Sequence, residues 1–272
     1  MMQEPRSIKR NKTYLVEMNA DSFKGQVAIV TGAGQGIGFE ICRQLALQGA
    51  AVLLNDIDGT LTKSAVEKIK TEGGNCIGIA GDASDVGFIN EMVKQAINSF
   101  GRLTIAIANA GITLFADFFD YTPDSFTKVM QLNLGGSFFL AQSAAKQMKQ
   151  QDAGGSILFM SSVVGHQAHK NLAAYAITKA GLEMLAKNLV IELSPHNINV
   201  NAIAPGATLT ERTLEDKEYT NTWSRITPLG KPAATNDIAN AALFLVSPAA
   251  KHITGQSLII DGGWTSVSPS PY

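Results

Sequence analysis

The chain has 272 residues, a formal net charge of −1 and 45% apolar residues, enough to bury the core of one α/β domain. Its near-neutral charge argues against a nucleic-acid partner, which would require a basic surface. No apolar run reaches the ~18–20 residues of a membrane span, and residues 1–24 lack the apolar stretch of a signal peptide. We therefore expect neither a nucleic-acid partner nor a membrane partner.

The two cysteines, Cys42 and Cys76, fall within a predicted helix and at the start of a predicted strand. At such positions buried, reduced thiols are the expected state. Two unpaired thiols favour a reducing compartment, so the sequence predicts a cytoplasmic protein.

Strand-like and helix-like segments alternate along the chain. In order, we predict strand 26–31, helix 36–48, strand 51–56, helix 60–72, strand 75–80, helix 85–100, strand 103–108, helix 123–150, strand 156–161, helix 171–193, strand 197–204, helix 235–247 and strand 257–261. This pattern is typical of an α/β fold: a Rossmann-type, doubly wound, seven-stranded parallel sheet with helices on both faces. A single domain is expected at 25–264, between a flexible N-terminal extension at 1–24 and a Pro/Ser-rich tail at 265–272.

Four glycines, Gly32, Gly34, Gly36 and Gly38, follow the first predicted strand and open the first predicted helix. Strand, glycine turn and helix form the context that a dinucleotide-binding loop requires. Glycine permits positive φ and close approach of the backbone to a pyrophosphate, while the helix N-terminus supplies free N–H groups. An ordinary glycine-rich turn is the alternative when this motif is taken alone.

Tyr175 and Lys179 are four residues apart, and Ser162 lies 13 residues before the tyrosine. Positions i and i+4 of a helix share a face, so the phenol and the ammonium would point into the same space. A free phenol is a poor base at neutral pH, and a nearby cation favours its ionised form, which makes proton exchange with an alcohol feasible. A surface pair on an amphipathic helix is the alternative for this motif alone.

Together these motifs closely resemble the short-chain dehydrogenase/reductase family, which carries Thr-Gly-x-x-x-Gly-x-Gly and Tyr-x-x-x-Lys at corresponding places. The resemblance runs from about residue 26 to residue 263. It implies an NAD(P)-dependent alcohol dehydrogenase or carbonyl reductase, in which hydride moves between nicotinamide and an alcohol or carbonyl carbon. Tyr175 would exchange the proton, Ser162 would donate to the substrate oxygen, and Lys179 would assist the tyrosine and bind the nicotinamide ribose.

Asn133 is a fourth candidate catalytic residue, amid apolar neighbours on the long helix predicted at 123–150. It is either a buried asparagine that kinks the helix or a functional residue. The resemblance implies that it holds a water linking Lys179 to solvent, and the cost of burying an unpaired amide favours function.

The resemblance also implies a set of cofactor-binding residues along the carboxyl ends of the strands. Asp82 would contact adenine, with a helix N-cap as its alternative, although Ser84 or Asp85 is better placed for that. Ala108 stands where the family usually has the first Asn of Asn-Asn-Ala-Gly. Besides Tyr175 and Lys179, the implied contacts are Gly32, Gln35, Gly36, Ile37, Gly38, Asp56, Ile57, Asp82, Ala83, Asn109, Ala110, Gly111, Pro205, Gly206, Ala207, Thr208 and Thr210.

Asp56 ends the second predicted strand, 18 residues beyond Gly38. A carboxylate there can accept from the adenosine ribose hydroxyls of NAD and would repel the 2′-phosphate of NADP. Ile57 follows it in place of an arginine, and Gln35 stands where relatives that prefer NADP often carry a cation. The sequence therefore predicts NAD over NADP, with a turn aspartate as the alternative for Asp56.

The predicted substrate is a small alcohol or carbonyl compound, and NAD preference suggests a sugar, polyol or other hydroxylated molecule. The polar stretch near 209–226, which the resemblance identifies as a mobile substrate lid, is compatible with such a ligand. The alternative is a 3-oxoacyl thioester (acyl-carrier-protein) reductase, which generally prefers NADPH and fits Asp56 less well. A non-enzymatic dinucleotide-binding scaffold predicts a broken Ser/Tyr/Lys set, and this set is intact.

Two further expectations concern assembly and metals. The helices predicted at 123–150 and 171–193 have more apolar face than one sheet contact uses, and by resemblance they pair across a homodimer or homotetramer interface. Deep packing within a monomer is the alternative. His166 and His169 have neither a carboxylate triad nor a thiolate nearby in sequence, so we expect no metal and regard both as candidates to line the substrate pocket.

Overall fold

The computed structural model describes residues 21–267. Most of the predicted N-terminal extension and tail, residues 1–20 and 268–272, lies outside the described residues. Within them the strands are β1 (Val27–Val30), β2 (Ala51–Asp56), β3 (Asn75–Ala80), β4 (Ile105–Ala108), β5 (Gly155–Met160), β6 (Ile198–Pro205), β7 (Thr208–Leu209), β8 (Ala233–Ala234) and β9 (Ser257–Ile260). The helices are α1 (Gly36–Leu47), α2 (Gly59–Thr71), α3 (Val86–Phe100), α4 (Pro123–Val129), α5 (Ser137–Gln151), α6 (Ala173–Leu193), α7 (Tyr219–Ile226) and α8 (Thr235–Val246).

Seven of the strands form one parallel sheet in the order β3-β2-β1-β4-β5-β6-β9. The central strands β1 and β4 are apolar and buried along their whole length, as expected where both faces of a parallel sheet are covered. Two apolar clusters explain this, because one joins the sheet to α1, α2 and α8 and the other joins it to α3, α5 and α6. The predicted doubly wound fold is confirmed.

The strand order reverses between β1 and β4. The chain runs outward from β1 to β3 on one side and from β4 to β9 on the other, so the loops at the carboxyl ends of β1 and β4 diverge. A crevice opens at such a switch point, and ligands of doubly wound sheets bind there.

The helix predicted at 123–150 is helical throughout but not uniform. Between α4 and α5 the backbone takes a π-helical path over Met130–Gly136, and π segments occur often at functional sites. The carbonyl oxygen of Asn133 accepts a hydrogen bond from Ser137 Oγ over 2.7 Å. A Cβ on Gly136 would lie 2.4 Å from the carbonyl oxygen of Ala83, so glycine lets this segment pass against the loop after β3.

The stretch near 209–226 is more regular than its sequence suggests. It contains a 3₁₀ turn at Thr213–Glu215 and the helix α7. Trp223 of α7 packs edge-to-face against Trp264, with ring centroids 5.2 Å apart. This contact joins positions distant in sequence, so the local pattern could not predict it. No helix in residues 21–267 has both the length and the apolar character needed to cross a membrane.

Candidate active site

A cleft of about 600 Å³ lies at the switch point, along the carboxyl ends of β1 to β5. The structure brings most of the predicted cofactor residues to its walls. They are Gly32, Gln35, Gly36, Ile37, Gly38, Asp56, Ile57, Asp82, Ala83, Asn109, Ala110, Gly111, Tyr175, Lys179 and Thr210. One continuous groove therefore runs from the glycine turn to the Tyr/Lys pair.

The glycine turn packs closely against the backbone and side chains that follow β4. Gly32 has φ +60°, and a Cβ on it would lie 2.7 Å from Ala110 Cα. A Cβ on Gly38 would lie 2.5 Å from Asn109 Nδ2. The first turn of α1 carries neither a side-chain cap nor an acidic residue of its own, and the nearest carboxylate to Gly36 comes from Glu211, whose Oε2 would lie 3.7 Å from an added Cβ. Such a helix N-terminus fits a phosphate group.

Asp56 is fixed beside this turn. Its Oδ2 accepts a hydrogen bond from Gly34 N over 2.9 Å and its Oδ1 accepts one from Asp58 N over 3.1 Å. A Cβ on Gly34 would lie 2.9 Å from Asp56 Oδ2, so only glycine lets the turn reach the carboxylate. The N-cap of α2 is Asp58, whose Oδ1 accepts from Thr60 N and Leu61 N. Asp58 therefore caps α2, while Asp56 lines the cleft and also makes the turn contact that its alternative interpretation predicted.

The loop after β3 contains Asp82 and Asp85, and the sequence left open which of them caps the helix that follows. Asp85 caps α3, since its Oδ1 accepts from Phe88 N over 2.8 Å. Asp82 Oδ1 accepts from Ser84 N over 2.8 Å, and Asp82 is an exposed residue at the cleft wall. The capping alternative therefore applies to Asp85 rather than Asp82.

Lys179 is buried at the far end of the cleft, with 3% of its surface exposed. Its Nζ donates to the carbonyl oxygen of Met160 over 2.7 Å and lies 5.3 Å from the centroid of the Tyr175 ring. A Cβ on Gly111 would lie 3.5 Å from Nζ and 3.2 Å from Asn133 Oδ1. Lys179 therefore approaches the Tyr175 ring at the cleft, where an aromatic face partly offsets the cost of burying a cation.

Asn133 is fully buried and its amide is bonded to backbone. Its Oδ1 accepts from Ile112 N and its Nδ2 donates to Ile112 O, each over 2.9 Å. Nδ2 also lies 3.3 Å from Thr178 Oγ1, which donates to Tyr175 O over 2.7 Å. Asn133 thus ties the loop after β4 to the helix that carries the Tyr/Lys pair, and the predicted water relay stays a prediction.

Ser162 lies at the carboxyl end of β5 and starts the 3₁₀ turn Val163–Gly165. Its Oγ accepts from Val164 N over 3.3 Å, and the residue is half-buried. The hydroxyl of its neighbour Ser161 is directed into α6, where it donates to Glu183 Oε1 over 2.6 Å. The Ser161 hydroxyl is therefore bonded to α6, and the Ser162 hydroxyl is bonded within its own turn.

Within the described residues, 21–267, four of the predicted cofactor residues do not line the cleft. Pro205 ends β6, and Gly206 N donates to Ile260 O over 2.9 Å. Thr208 N donates to the Tyr219 hydroxyl over 3.1 Å, and β7 pairs with β8. Pairing with neighbouring backbone holds Pro205, Gly206, Ala207 and Thr208 behind Thr210, which does line the cleft.

Several cleft residues were not predicted. Asn55 was detectable as a polar residue in an otherwise apolar strand; its Nδ2 donates to the carbonyls of Ile79 and Gly81 over 3.2 and 3.0 Å. Its buried Oδ1 has no partner within residues 21–267. Gly81 and Met160 reach the cleft from the carboxyl ends of β3 and β5. No local signal marked the others, which come from helical or irregular segments: Ser84, Ile112, Thr113, Lys128, Gln131, Leu132, Glu211 and Arg212.

The two histidines are both exposed but have different partners. His166 Nε2 lies 2.8 Å from Glu183 Oε1, and His169 Nδ1 lies 3.1 Å from Lys170 O. Neither residue lines the cleft. In the described part of the chain, no three His, Cys, Asp or Glu side chains are grouped so that they could hold a metal ion.

The glycine turn, the helix N-terminus without a side-chain cap and the Asp56 carboxylate lie together at one end of the cleft, and these groups fit a nicotinamide dinucleotide. A Cβ on Gly36 would be in van der Waals contact with Thr210 Cγ2, at 3.6 Å. The Tyr175 phenol and the Lys179 ammonium lie at the other end of the cleft, whereas Ser162 does not line it and starts the turn that follows β5. This combination of fold and site defines a Rossmann-type, dinucleotide-linked oxidoreductase.

Comparison with known proteins agrees with this class. A family model described as enoyl-(acyl carrier protein) reductase matches residues 32–265. The L-rhamnose 1-dehydrogenase (NAD(P)(+)) of Azotobacter vinelandii is 36% identical over 245 residues, covering 88% of this chain and 96% of that protein. The 7alpha-hydroxysteroid dehydrogenase of Escherichia coli K12 is 35% identical over 249 residues, covering 90% and 97%.

A crystal structure of a short-chain type dehydrogenase/reductase from Mycobacterium marinum superposes with a TM-score of 0.85 at 30% identity, covering 91% of this chain and 97% of that one. The chain belongs to the short-chain dehydrogenase/reductase family. It is an NAD(P)-dependent oxidoreductase that transfers hydride between nicotinamide and an alcohol or carbonyl carbon.

Proposed function

We propose that the chain uses NAD in preference to NADP to oxidise a secondary hydroxyl group of a sugar, a polyol or a similar hydroxylated small molecule. The observation that carries this proposal is the buried Lys179 ammonium, 5.3 Å from the Tyr175 ring at one end of a groove whose other end is the glycine turn. The name of the Azotobacter relative, an L-rhamnose 1-dehydrogenase, supports a sugar.

In this proposal, each side chain has one task during oxidation. The bound dinucleotide supplies a hydride acceptor at nicotinamide C4. Tyr175 takes the hydroxyl proton, and the positive charge of Lys179 helps the phenol oxygen carry negative charge. Ser162 donates a hydrogen bond to the substrate oxygen as its charge changes. Asn133 holds the loop at Ile112, which lines the cleft, against α6.

The preference for NAD is supported by the position of Asp56. Its carboxylate is held by two backbone N–H groups beside the glycine turn, where a 2′-phosphate would meet negative charge. Ile57 is exposed and offers no cation to offset that repulsion. Both features favour a ribose with a free 2′-hydroxyl.

A homodimer or homotetramer in the cytoplasm is also part of the proposal. The outer faces of α5 and α6 expose Phe138, Met184 and Ile191. Leu185 and Leu189 line a groove of about 550 Å³ between the same helices. Apolar surface of this kind favours pairing with a second copy. The cytoplasmic location is supported by the two free, buried thiols, which suit a reducing compartment. Light scattering should give two or four times 28.9 kDa; a monomer mass would contradict the assembly.

The function is tested by initial rates at neutral pH with NAD⁺ against aldose sugars, polyols, a hydroxysteroid and hydroxy acids, together with NADPH and a 3-oxoacyl thioester. We expect turnover of a hydroxylated small molecule with NAD⁺. Efficient thioester reduction with NADPH would instead support the acyl-carrier-protein reductase alternative. A purified protein that binds NADH but turns over none of these classes would contradict the proposed substrate class.

A further inference from the structure

Glu183 lies on α6 one helical turn after Lys179, and its side chain is only 12% exposed. Its Oε1 accepts a hydrogen bond from Ser161 Oγ over 2.6 Å and lies 2.8 Å from His166 Nε2. Bonds to a carboxylate are shorter and stronger than bonds between neutral groups. One largely buried carboxylate therefore holds two side chains that are separate from the cofactor cleft.

The two partners of Glu183 flank Ser162 in the chain. Ser161 precedes it directly, and His166 follows the 3₁₀ turn Val163–Gly165 that Ser162 begins. Gly165 N donates to Ser162 O over 2.9 Å, which closes this turn. The backbone around Ser162 is thus held on both sides by the same carboxylate.

The turn also packs directly against α6. A Cβ on Gly165 would lie 3.0 Å from Ala180 N and 3.1 Å from Glu183 Oε1, so the contact leaves little room for a side chain. The Ser161 hydroxyl lies 3.0 Å from the carbonyl oxygen of Lys179 as well. Together with the bond from Lys179 Nζ to Met160 O, these contacts join the end of β5 to the helical turn that carries Lys179.

We propose that Glu183 is a positioning residue, which fixes the distance between the Ser162 hydroxyl and the face of α6 that presents Tyr175 and Lys179. The inference rests on the proposed function, in which Ser162 and Tyr175 contact the same substrate oxygen. Two groups that act on one atom require placement within about 0.5 Å, and a misplacement of about 1 Å can cost about 100-fold in rate. Glu183 itself reaches neither substrate nor cofactor.

The test compares Glu183→Ala, Glu183→Gln and Ser161→Ala with His169→Ala as the matched control, since His169 is an exposed histidine of the same loop that the structure places outside the cleft. Glu183→Ala should lower kcat about 10- to 100-fold and leave the Kd for NADH within about twofold. Glu183→Gln keeps an oxygen that accepts from Ser161 and should retain most of kcat. Ser161→Ala, a smaller change, should lower kcat several-fold, and His169→Ala should leave it unchanged.

A purely structural role would instead lower the melting temperature and leave kcat per folded molecule unchanged, and that result in Glu183→Ala and Ser161→Ala would overturn the proposal. Amide hydrogen exchange of residues 161–167 provides a readout that needs no turnover. We expect faster exchange in Glu183→Ala and not in His169→Ala; unchanged exchange would also overturn it. Absence of turnover in the unmodified enzyme would count against the proposed function, while the exchange result still judges the role of Glu183.

Discussion

The side chain of Asn109 donates a hydrogen bond to the carbonyl oxygen of Gly32 over 2.7 Å. The same Nδ2 donates to the carbonyl oxygen of Thr31 over 2.9 Å, and Thr31 Oγ1 accepts from the backbone N–H groups of Asn109 and Ala110. These bonds join the end of β4 to the glycine turn after β1. The floor of the proposed pyrophosphate site is therefore a cross-linked unit spanning both sides of the switch point.

Gly38 packs against this unit, so Gly38→Ala should damage it. The added Cβ would lie 2.5 Å from Asn109 Nδ2 and 2.6 Å from the Gly32 carbonyl oxygen, and the second contact is with backbone that must move. We expect NADH binding at least about 10-fold weaker and a loss of about 1–3 kcal/mol in the free energy of unfolding. Fluorescence titration with NADH and urea unfolding measure the two effects.

Gly59→Ala is the matched control for that substitution. Gly59 begins α2, and a Cβ there would meet only Ala80 Cβ, at 3.6 Å. Alanine is a better helix former than glycine, so stability should be unchanged or slightly higher. NADH affinity should not change. Equal NADH affinity in Gly38→Ala and Gly59→Ala would contradict the role of the glycine turn.

Asp56→Asn tests the cofactor preference with little change in shape. The amide keeps an oxygen that can accept from backbone and removes the negative charge that would repel a 2′-phosphate. The ratio of kcat/KM for NAD to that for NADP should fall at least about 10-fold. Asp58→Asn changes the charge two residues away, at the N-cap of α2, and should leave the ratio unchanged. A ratio unaffected by Asp56→Asn would remove this residue from cofactor selection.

The two thiols should be inert in the folded protein. Burial, with a smaller effect of the neighbouring Cys76, raises the pKa of Cys42 well above its ordinary value. Burial also raises the pKa of Cys76 to about 12, despite the charge of Lys70, which lowers it. Since the thiolate is the reactive form, a thiol-specific reagent at pH 8 should label neither cysteine until denaturant is added. Rapid labelling of the native protein would be incompatible with this burial.

Asp261 should make stability depend on pH. Burial raises the pKa of its carboxyl group, but hydrogen bonds donated by Thr265 and Gly263 outweigh that effect, so its pKa lies below the ordinary value. A lowered pKa in the folded state stabilises the protein above the unfolded-state value, and this contribution is lost as the pH falls through the folded-state value.

For Asp261→Asn we therefore expect a loss of about 1 kcal/mol in the free energy of unfolding at pH 7. The difference from the unmodified protein should shrink once the pH falls below about 4. Urea unfolding at a series of pH values measures it. A difference that stays constant with pH would mean that the charge of Asp261 contributes nothing.

The fold was predictable because its signals are local. Central strands such as β1 and β4 are apolar on both faces, and the glycine turn has a fixed spacing between a strand and a helix. The cleft residues that follow strand ends could be found in the same way, since the carboxyl ends of parallel strands meet at one edge of a sheet.

What the sequence did not reveal depends on contacts between distant segments. Trp223 of helix α7 packs on Trp264, and no local pattern predicts that contact. In the sequence, Glu183 is an ordinary polar residue of a helix. Its contacts with Ser161 and His166 depend on the fold and have no local signal. Asn133 was found as a buried asparagine, but the π-helical path that directs its amide to Ile112 has no sequence signature.

The central claim, that Tyr175 exchanges the proton during hydride transfer, is tested most directly by Tyr175→Phe. This change removes the phenol oxygen and keeps the ring over which Lys179 Nζ lies. Turnover with NAD⁺ and the preferred alcohol should fall about 10³-fold or more, while the Kd for NADH stays within about twofold. A variant that binds NADH normally and keeps a substantial part of the original kcat would contradict the account.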